Sequence, residues 1–590
     1  MKTHSVDIPS SRTRLRAPDG ALLADVLSSA GIPLSLYCGG RGICGKCFIE
    51  ILRGELPPPS SSESALIRRK NLSPRHRLAC LIRVHGDLAV RVPSQATQPG
   101  VIVLDEFLPE SVALDPGIKK YTLDPPSASL VSPLSLVESL EHAFRGRLRM
   151  SPGVAGKLPA AREGAGGKLT VTVIDGRELL DVESGDMDDR CYGIAADIGT
   201  STVVVELVDL ITGRSLGRTA AVNAQAPFGS DVVSRITHVF EHPDHFLRLS
   251  AAIREQINGL IGDLARPKGI QVDHIYEIVV AGNTAMSHFF FGVPVTTLAL
   301  APFHGVFAAA PEARAGELGL GIHPLARVYA APNIRSFVGG DIAAGLAAVA
   351  MAGRAGNILF VDLGTNGEIV LKAGRRTMTT STAAGPAFEG MTISCGMPAF
   401  PGAIFQAKWR SGFSVKTIGD EPARGICGTG LIDVLALALR KGLVSPDGRI
   451  ADPSRTIPII AGLSLSQGDI RKIQLAVAAI KSGIRMMLDR AGLRIRDLDK
   501  ILVAGAFGGS LDIGNAAALG LLPEVRAGKI VFVGNTSLAG ARKLLLSIPE
   551  RRAIEAYARK ISHVSLASGT AFETDFIEAL ELKPYSGERP

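Results

Sequence analysis

The sequence predicts a multidomain protein in which a small α+β domain and a small β-containing spacer precede an α/β domain of two related halves. Three observations predict this. Four cysteines lie within the first 80 residues, the chain then becomes rich in Ser, Pro and Gly, and from Cys191 onward apolar strands alternate with glycine turns and Ala/Leu-rich helices. The 590 residues suffice for roughly three or four domains. We expect the domains at 1–95, 96–190 and 191–590, with the halves of the last at about 191–355 and 356–590.

The first segment carries a glycine-rich loop with three cysteines. Cys38, Cys44 and Cys47 follow the spacing C-x5-C-x2-C, and Cys80 adds a fourth thiol from a distant part of the chain. Three thiolates on one loop and a fourth elsewhere can hold a [2Fe–2S] cluster, although the first gap is one residue longer than in the plant-type pattern. A zinc site and a disulfide are the alternatives. Zinc sites usually pair CxxC with a second CxxC or with HxxxH, and this segment carries neither.

The pattern around the loop indicates a small mixed domain. Residues 22–32 have helical periodicity, residues 48–52 alternate like a strand, and we predict further strands at 78–84 and 87–93. A cluster loop between a helix and a strand is typical of a β-grasp ferredoxin. The prediction for the N-terminal domain is therefore an α+β, ferredoxin-like fold.

The composition argues against several classes of protein. The net charge of +8 is modest, and aromatic residues make up only 5%, so stacking platforms for nucleic acid are not indicated. Cys191, Cys395 and Cys427 are single and far apart, which is typical of a reducing compartment. No apolar signal-peptide region is visible near the start, and Asn, His and Pro interrupt the uncharged stretch 278–311. We expect a cytoplasmic protein with no membrane span and no nucleic-acid partner.

The second segment, 96–190, is rich in Ser, Pro and Gly and contains short apolar runs at 101–105 and 169–175. This composition predicts a linker followed by a small β-containing domain. Its role is left open by the sequence.

The third segment contains an internal repeat. The stretch 192–209 (YGIAADIGTSTVVVELVD) is similar to 358–372 (ILFVDLGTNGEIVLK). Each is an apolar strand, then Asp, an apolar residue, Gly and Thr, and then a second apolar strand. The two aspartates, Asp197 and Asp362, lie 165 positions apart. Two hairpins at this spacing predict two related half-domains that face each other.

Each hairpin tip places an aspartate beside a Gly-Thr turn whose backbone N–H groups can bind phosphate oxygens. Asp197 and Asp362 can hold Mg²⁺ between bound phosphates and polarise the attacking water. An apolar strand in 501–512 ends in glycines against which an adenine ring can lie. Structural glycine turns in another α/β fold are the alternative. The candidate nucleotide-binding residues are Gly199, Thr200, Ser201, Thr202, Gly364, Thr365, Asn366, Gly367, Gly505, Gly508 and Gly509.

Together these three elements resemble the phosphate-1, phosphate-2 and adenosine motifs of the sugar-kinase, heat-shock ATPase and actin superfamily (ASKHA). Residues 277–286 and 338–348 fall where that superfamily has inter-subdomain connecting elements. The resemblance implies ATP and Mg²⁺ as cofactors. No sugar-binding signature is visible, and no separate catalytic base can be chosen between Asp197, Glu368 and Asp341. ATPase activity is therefore favoured over phosphoryl transfer to a metabolite.

Over nearly its full length the chain resembles the reductive activators of corrinoid proteins. The resemblance rests on CGGRGICGKC, YGIAADIGTS, VDLGTNGEI, AGPAFEG, ISCGM and VAGAFGG. It implies an enzyme that couples ATP hydrolysis to the reduction of a Co(II) corrinoid to Co(I) by one electron from the [2Fe–2S] cluster. The implied partners are a corrinoid protein of a methyltransferase system and a low-potential electron donor. A homodimer is one oligomeric state that the sequence leaves open.

The resemblance makes residues 382–404 (TAAGPAFEGMTISCGMPAFPGAI) the candidate contact with the corrinoid. Ser394 and Cys395 offer side chains that can bind a metal. Our hypothesis is that one of them approaches cobalt, and we include Ser394 with Asp197 and Asp362 among the candidate catalytic residues. A packed loop beside the nucleotide is the alternative.

Three other functions compete with this interpretation. The chain can donate electrons to another low-potential acceptor, as the activators of 2-hydroxyacyl-CoA dehydratases do, but those proteins carry a bridging [4Fe–4S] cluster. A redox sensor gated by nucleotide is a non-catalytic alternative. A metabolite kinase with an appended ferredoxin is the third, and it would act without any corrinoid.

Overall fold

The protein was analysed as a computed structural model with all side chains. It describes residues 2–9, 13–30, 32, 34, 42, 45, 47–69, 73–93, 112–131, 133–229, 231–309, 311–390, 392–505, 511–526, 528–566 and 570–585. The predicted apolar run 101–105, Cys38, Cys44, Gly508 and Gly509 lie outside the described residues.

The N-terminal part of the chain folds as a mixed β-sheet with two helices. Its elements are β1 (Thr3–Ile8), β2 (Thr13–Pro18), α1 (Leu23–Ser29), β3 (Phe48–Arg53), α2 (Ser61–Arg69), β4 (His76–Leu78) and β5 (Leu88–Arg91). The strand order is β2-β1-β5-β3-β4, with β1 parallel to β5 and antiparallel to β2. Helix α1 buries Leu23, Ala24 and Leu27 against this sheet. The predicted α+β character is thus confirmed.

The predicted strand at 78–84 is wrong. The chain leaves the sheet after Leu78 and makes a helical turn over Ala79–Leu81, where the Ala79 N–H donates to the Cys47 carbonyl at 3.0 Å. Beyond the turn, the Ile82 carbonyl accepts from the Leu23 N–H at the start of α1, and Val84 exchanges backbone hydrogen bonds with Gly20 and Ala21. Buried Ile82 and Val84 alternate with exposed Leu81 and Arg83 along this connection, so its pattern mimics that of a strand.

The spacer contains a three-stranded antiparallel sheet and three short helices. Its elements are β6 (Ile118–Leu123), α3 (Leu136–Phe144), α4 (Pro152–Ala155), α5 (Leu158–Glu163), β7 (Leu169–Ile174) and β8 (Glu178–Ser184). The strand order is β6-β7-β8. Val171, Val173 and Leu179 form the centre of its small core. The predicted β-containing spacer is confirmed.

The first half of the α/β domain is built on a six-stranded sheet. Its elements are β9 (Tyr192–Ile198), β10 (Thr202–Asp209), β11 (Ser215–Val222), α6 (Val232–Glu241), α7 (His245–Ala265), β12 (Ile275–Gly282), α8 (Thr284–Phe291), α9 (Thr296–Ala299), β13 (Ala313–Arg314), β14 (Arg327–Ala330) and α10 (Gly340–Ala348). The strand order is β11-β10-β9-β12-β14-β13. Leu249, Ile253 and Ile257 recur every four residues along α7 and bury one helix face against the sheet.

The second half repeats this plan with an inserted subdomain. Its elements are β15 (Asn357–Leu363), β16 (Gly367–Ala373), β17 (Arg376–Thr382), β18 (Ala403–Trp409), β19 (Phe413–Thr417), β20 (Gly425–Ile426), α11 (Gly428–Arg440), β21 (Thr456–Ile460), β22 (Leu463–Ser466), α12 (Gln467–Ala491), β23 (Lys500–Gly505), α13 (Ile513–Leu519), β24 (Ile530–Gly534), α14 (Thr536–Leu546), α15 (Ile548–Ala558), β25 (Ser562–His563) and α16 (Thr570–Ala579). The main sheet has the order β24-β23-β15-β16-β17-β25. The residues between β17 and β23 form two small sheets, with the strand orders β19-β18-β20 and β21-β22.

The two main sheets share one topology. In each, an antiparallel hairpin is followed by a third antiparallel strand, and two later strands add in parallel on the other side of the first strand. Asp197 is the penultimate residue of β9 and Asp362 is the penultimate residue of β15. The structure therefore confirms the predicted repeat of two related halves.

Helices α10 and α14 join the halves between the two sheets. A Cβ atom on Gly540 would lie 1.9 Å from the Ala344 carbonyl oxygen, so the helix backbones are in direct contact at that point. The surrounding core contains Ala195 from the first sheet and Phe360 from the second. One apolar core is thus shared by both halves.

Among the described helices, none is both long and apolar enough to cross a membrane.

Candidate nucleotide site and cluster thiols

The two hairpin tips face one cavity of about 720 Å³ between the halves of the α/β domain. This volume lies within the range of small-molecule and cofactor sites, about 300–1,000 Å³. The predicted site residues that line it are Asp197, Gly199, Thr200, Ser201, Thr202, Asp362, Gly364, Thr365, Asn366 and Gly505. The structure therefore brings together ten of the predicted residues from three separate stretches of sequence.

Backbone hydrogen bonds close both tips. The Gly199 N–H donates to the Thr202 carbonyl and the Gly364 N–H donates to the Asn366 carbonyl, each at 3.0 Å. At the first tip, a Cβ atom on Gly199 would lie 2.7 Å from the Thr202 carbonyl oxygen, which explains why glycine is needed there. The two turns differ in length, since four residues separate the paired Ile198 and Val203 at the first tip and three separate Leu363 and Gly367 at the second.

Two side chains that the sequence analysis missed hold the first tip in place. Arg235 on α6 is fully buried, and its guanidinium donates to the Thr200 carbonyl at 2.5 Å and to the Gly229 carbonyl at 2.9 Å. Burial lowers the pKa of Arg235 to about 9, which still leaves it charged at neutral pH. The Asn283 amide donates to the Thr200 hydroxyl at 3.1 Å. The sequence signal for Arg235 is a charged residue on the apolar face of a helix.

The cavity concentrates negative charge. Asp197 accepts hydrogen bonds from the Asn535 amide at 2.9 Å and from the Ser537 hydroxyl at 2.8 Å, at the start of α14. Burial raises the pKa of Asp197 despite these bonds. Burial and the charge of Asp197 raise the pKa of Asp362 to about 7. The two predicted aspartates therefore influence each other across the cleft.

Two further carboxyl groups face the same space. Asp341 lies in the first turn of α10, and burial together with Asp362 raises its pKa to about 8. Glu368 accepts a hydrogen bond from the Ser381 hydroxyl at 3.2 Å, and burial, Asp341 and Asp362 raise its pKa well above the usual value.

A cation or protons must offset the negative charge of these four carboxyl groups, and a Mg²⁺ ion fits the oxygen donors. Among the described residues, no group of three or more His, Cys, Asp and Glu side chains is arranged to hold a metal ion alone. Mg²⁺ here would accordingly need phosphate oxygens or water as further ligands.

Glu389 bridges the two tips. The hydroxyl of Ser201, from the first half, and the hydroxyl of Thr365, from the second half, both donate to its carboxylate, the latter at 2.6 Å. The two hydroxyl oxygens are 3.5 Å apart. Burial raises the pKa of Glu389. Glu389 belongs to the motif AGPAFEG, whose sequence does not predict this bridging role.

Two predicted residues lie outside the described lining of the cavity. Gly367 packs where a Cβ atom would lie 2.7 Å from the Thr382 hydroxyl. Ser394 is half-buried, and its backbone N–H and hydroxyl donate to the two carboxylate oxygens of Asp469 at 2.8 and 2.5 Å. Asp469 in turn belongs to the capping box at the start of α12. The predicted approach of Ser394 to cobalt stays a prediction.

Two of the four predicted cluster thiols lie within the described part of the chain. Cys47 and Cys80 are both buried in the N-terminal core, on segments joined by the hydrogen bond from Ala79 to Cys47. Gly42 has φ +68°, and a Cβ atom there would lie 2.7 Å from the Leu81 side chain. Gly42 thus lies close beside the segment that contains Cys80. Cys38 and Cys44 lie outside the described residues.

Known protein families match nearly the whole length of the chain. Family profiles match the 2Fe-2S iron-sulfur cluster binding domain at 6–85, the RACo linker region at 108–189, the RACo middle region at 192–354 and the C-terminal domain of RACo, the ASKHA domain, at 356–588. A solved structure described as a reductive activator for corrinoid, iron-sulfur protein is 33% identical with a TM-score of 0.76, and the match covers 98% of each chain. The chain belongs to the RACo family of reductive activators.

Curated relatives extend this result. The corrinoid activation enzyme RamQ of Eubacterium limosum is 29% identical over 583 residues, which are 94% of each chain. A Co(II) methylated amine-specific corrinoid protein reductase of Methanosarcina barkeri is 29% identical over 421 residues, covering 65% of this chain and 76% of the relative.

Membership of the RACo family confirms the predicted fold, a ferredoxin-like N-terminal domain joined to an ASKHA domain. It also confirms the predicted cofactors, a [2Fe–2S] cluster and ATP, with Mg²⁺ as the usual companion of ATP. The assignment of individual site residues stays a prediction from their geometry.

Proposed function

We propose that this chain is an ATP-dependent reductive activator that passes one electron to the Co(II) corrinoid of a methyltransferase-system corrinoid protein and regenerates Co(I). One observation carries the proposal. A cysteine domain and a two-half nucleotide cavity occur in one chain, and a corrinoid activator of known structure matches that chain from end to end. In each cycle Co(II) gains one electron, and ATP and water become ADP and phosphate.

The energetics explain why the two domains are joined. Plant-type [2Fe–2S] clusters have potentials near about −400 mV, and each step of about 59 mV uphill costs about 1.4 kcal/mol for one electron. An acceptor of lower potential therefore receives an electron only if another process favours its reduced state. Differential binding of the acceptor by two states of the ASKHA domain can supply that energy, with ATP selecting between the states.

The hairpin tips perform the nucleotide part of this task. The N–H groups of the Gly-Thr turns bind phosphate oxygens, and Asp197 and Asp362 would hold Mg²⁺ beside them. Asn535 and Ser537 orient the Asp197 carboxylate from the helix that joins the halves. Any movement of Asp197 on nucleotide binding therefore also changes its hydrogen bonds to the start of α14.

The N-terminal part of the proposal concerns the four cysteines. Cys38, Cys44, Cys47 and Cys80 would hold the [2Fe–2S] cluster, which supplies one electron at low potential when bound. Cys47 and Cys80 are buried together in the core of this domain, which supports their inclusion in the set. A low-potential donor protein is the proposed source of the electron.

We also propose domain limits at 1–95, 96–190 and 191–590, a cytoplasmic location, which the cysteine usage supports, and assembly as a homodimer. Ser394 is proposed to approach cobalt, and in this structure its hydroxyl donates to the carboxylate of Asp469.

The experiment is anaerobic visible spectroscopy of the reductant-treated protein mixed with ATP–Mg²⁺ and a Co(II) corrinoid protein. Both a corrinoid iron–sulfur protein and a methylamine-specific corrinoid protein are tested as acceptors. ATP-dependent conversion of the Co(II) bands to Co(I) bands is expected, and Asp362→Asn is expected to abolish it. The exposed Asp452→Asn serves as the matched control. Absence of conversion with an intact cluster and bound nucleotide would contradict the proposal.

A further inference from the structure

Glu389 occupies the donors that a nucleotide phosphate needs. Its carboxylate accepts hydrogen bonds from Ser201 and Thr365, which are hydroxyl groups of the two phosphate-binding tips. A carboxylate and a phosphate are both oxygen anions that accept O–H and N–H donors, so only one of them can satisfy these hydroxyls at a time. Glu389 and a bound phosphate would therefore compete for the same two hydroxyl donors.

The bridge also connects the two halves of the domain. Ser201 belongs to the first half, whereas Glu389 and Thr365 belong to the second. Glu389 lies on the loop between β17 and β18, residues 383–402, the segment for which we predict a contact with the corrinoid. A hydrogen bond at the cleft therefore ties the first half of the domain directly to that loop.

The described part of this loop is tightly packed beyond Glu389. Gly390 has φ +74°, and a Cβ atom there would lie 2.4 Å from the Met397 nitrogen. A Cβ atom on Gly396 would lie 2.4 Å from the Gly390 carbonyl oxygen, so the two ends of the turn touch through backbone atoms. Ser394 lies on this turn. Because packed backbone cannot deform gradually, a shift at Glu389 is transmitted to Ser394.

Charge favours displacement when a phosphate arrives. The Glu389 carboxylate has the buried Arg235 guanidinium as its neighbouring cation, but Arg235 already donates to the Thr200 and Gly229 carbonyls. A phosphate placed at the tips would add negative charge beside a carboxylate in a buried site, and the two would repel each other. Glu389 can relieve this repulsion by leaving its two hydroxyl donors.

We propose that Glu389 is a positioning residue that nucleotide phosphate displaces from Ser201 and Thr365, and that this displacement shifts the loop carrying Ser394. The inference rests on the proposed function, because it takes the cavity as the ATP site. Glu389 is thus an internal competitor of ATP for the two hydroxyl donors. It is also the residue through which ATP binding changes the position of the loop.

The test compares Glu389→Ala and Glu389→Gln with wild type and with the control Glu312→Gln, an exposed glutamate in the first half. Dissociation constants for ATP–Mg²⁺, ADP–Mg²⁺ and adenosine are measured without any corrinoid protein. Removal of the competitor is expected to tighten ATP–Mg²⁺ binding about tenfold in Glu389→Ala. Adenosine, which has no phosphate, should bind unchanged. If Glu389→Ala does not fold, the same dissociation constants are measured for Glu389→Gln, which keeps one acceptor oxygen but has no negative charge.

A purely structural role of Glu389 predicts the opposite result, weaker binding of all three ligands. Unchanged or weaker ATP–Mg²⁺ binding in a folded variant would overturn the inference. With a Co(II) corrinoid protein added, the ratio of reduction rates with and without ATP should fall toward one in both variants. An unchanged ratio would overturn the second half of the inference, the connection to the loop.

The same measurements separate this inference from the proposed function. If wild type binds ATP but reduces no Co(II) corrinoid, only the proposed function fails, since the affinity change is measured without corrinoid. If wild type binds no ATP, both fail. If Co(II) reduction is ATP-dependent and the Glu389 variants behave like wild type, only the inference fails.

Discussion

Asp197 on the first half of the α/β domain accepts a hydrogen bond from the Ser537 hydroxyl on the second half at 2.8 Å. The two residues are 340 positions apart in the chain, and Ser537 lies in the first turn of α14. The contact links a predicted phosphate-binding tip to the helix that packs against α10 between the two sheets. It gives the nucleotide site a direct connection to the contact between the halves.

The first prediction concerns this contact. Ser537→Ala removes a hydrogen bond to a charged group, which is worth about 1.5–3 kcal/mol. We expect ATP turnover to fall by roughly tenfold or more, since about 1.4 kcal/mol corresponds to a factor of ten. Ser454→Ala, at an exposed serine outside the cavity, is the matched control. Equal ATP turnover in Ser537→Ala and wild type would show that the orientation of Asp197 does not depend on Ser537.

A second prediction concerns pH. The pKa of Asp362 is raised to about 7 and that of Asp341 to about 8, mainly by burial. At these two carboxyl groups the folded, nucleotide-free protein therefore binds more protons than the unfolded chain between about pH 4 and pH 8. The contribution of these two groups to the free energy of unfolding falls as the pH rises through this range.

We expect the melting temperature of the nucleotide-free ASKHA domain to decrease from pH 5 to pH 8. The decrease should be smaller in Asp341→Asn and in the presence of ATP–Mg²⁺, which offsets the carboxylate charge. Asp452→Asn, at an exposed residue whose pKa is lowered, should leave the slope as it is. A slope that Asp341→Asn does not change would contradict the assignment of this pH dependence to the cavity.

The third prediction addresses the buried arginine. Arg235→Ala leaves the Thr200 and Gly229 carbonyls without their donor, at a cost of about 1–3 kcal/mol for each buried unsatisfied group. We expect a lower melting temperature and weaker ATP binding, because the first tip loses its support. Lysine cannot present a planar fork of donors, so Arg235→Lys should rescue little. Arg248→Ala, exposed on the neighbouring helix, is the control, and an equal loss in that variant would contradict the specific role.

These residues show how much of the candidate site could be predicted from the sequence alone. Asp197 and Asp362 were predicted because each lies in a local motif that the chain repeats, and the paired motifs also predicted the two similar sheets. Ser537 could not be predicted, since it reaches the tip only through tertiary packing and carries no local signal. The signal for Arg235 is a charged residue on the apolar face of a helix, but its contact with the tip also depends on tertiary packing. The strand predicted at 78–84 failed for a related reason, because an irregular connection that alternates exposed Leu81 and Arg83 with buried Ile82 and Val84 has the same pattern as a strand.

The fourth prediction separates the two domains. Cys80→Ser is expected to lower the iron content and the visible absorption of the purified protein to near zero, because thiolate is the ligand the cluster needs. ATP binding should be unchanged, since Cys80 lies in the N-terminal core and the nucleotide cavity lies in the α/β domain. Cys191→Ala, at a buried cysteine of the α/β domain, should keep full iron content. Retention of iron by Cys80→Ser would exclude Cys80 as a ligand.

The fifth prediction concerns the crossing of α10 and α14. A Cβ atom on Gly540 would lie 1.9 Å from the Ala344 carbonyl oxygen, which is backbone and cannot rotate away. Gly540→Ala must therefore push the helices apart, and overpacking of this kind typically costs about 1–3 kcal/mol or more. Because Ser537 lies one turn earlier on α14, the shift also moves the donor to Asp197.

We expect Gly540→Ala to lower both the melting temperature and the rate of ATP turnover. Gly259→Ala is a matched control, because Gly259 lies inside helix α7 with no atom within 4 Å of the added methyl group. That substitution should stabilise the helix by about 0.5–1 kcal/mol. If both variants hydrolysed ATP like wild type, the contact between the helices would not determine the geometry of the nucleotide site. A loss confined to Gly540→Ala would mean that the spacing of α10 and α14 sets the distance between the two phosphate-binding tips.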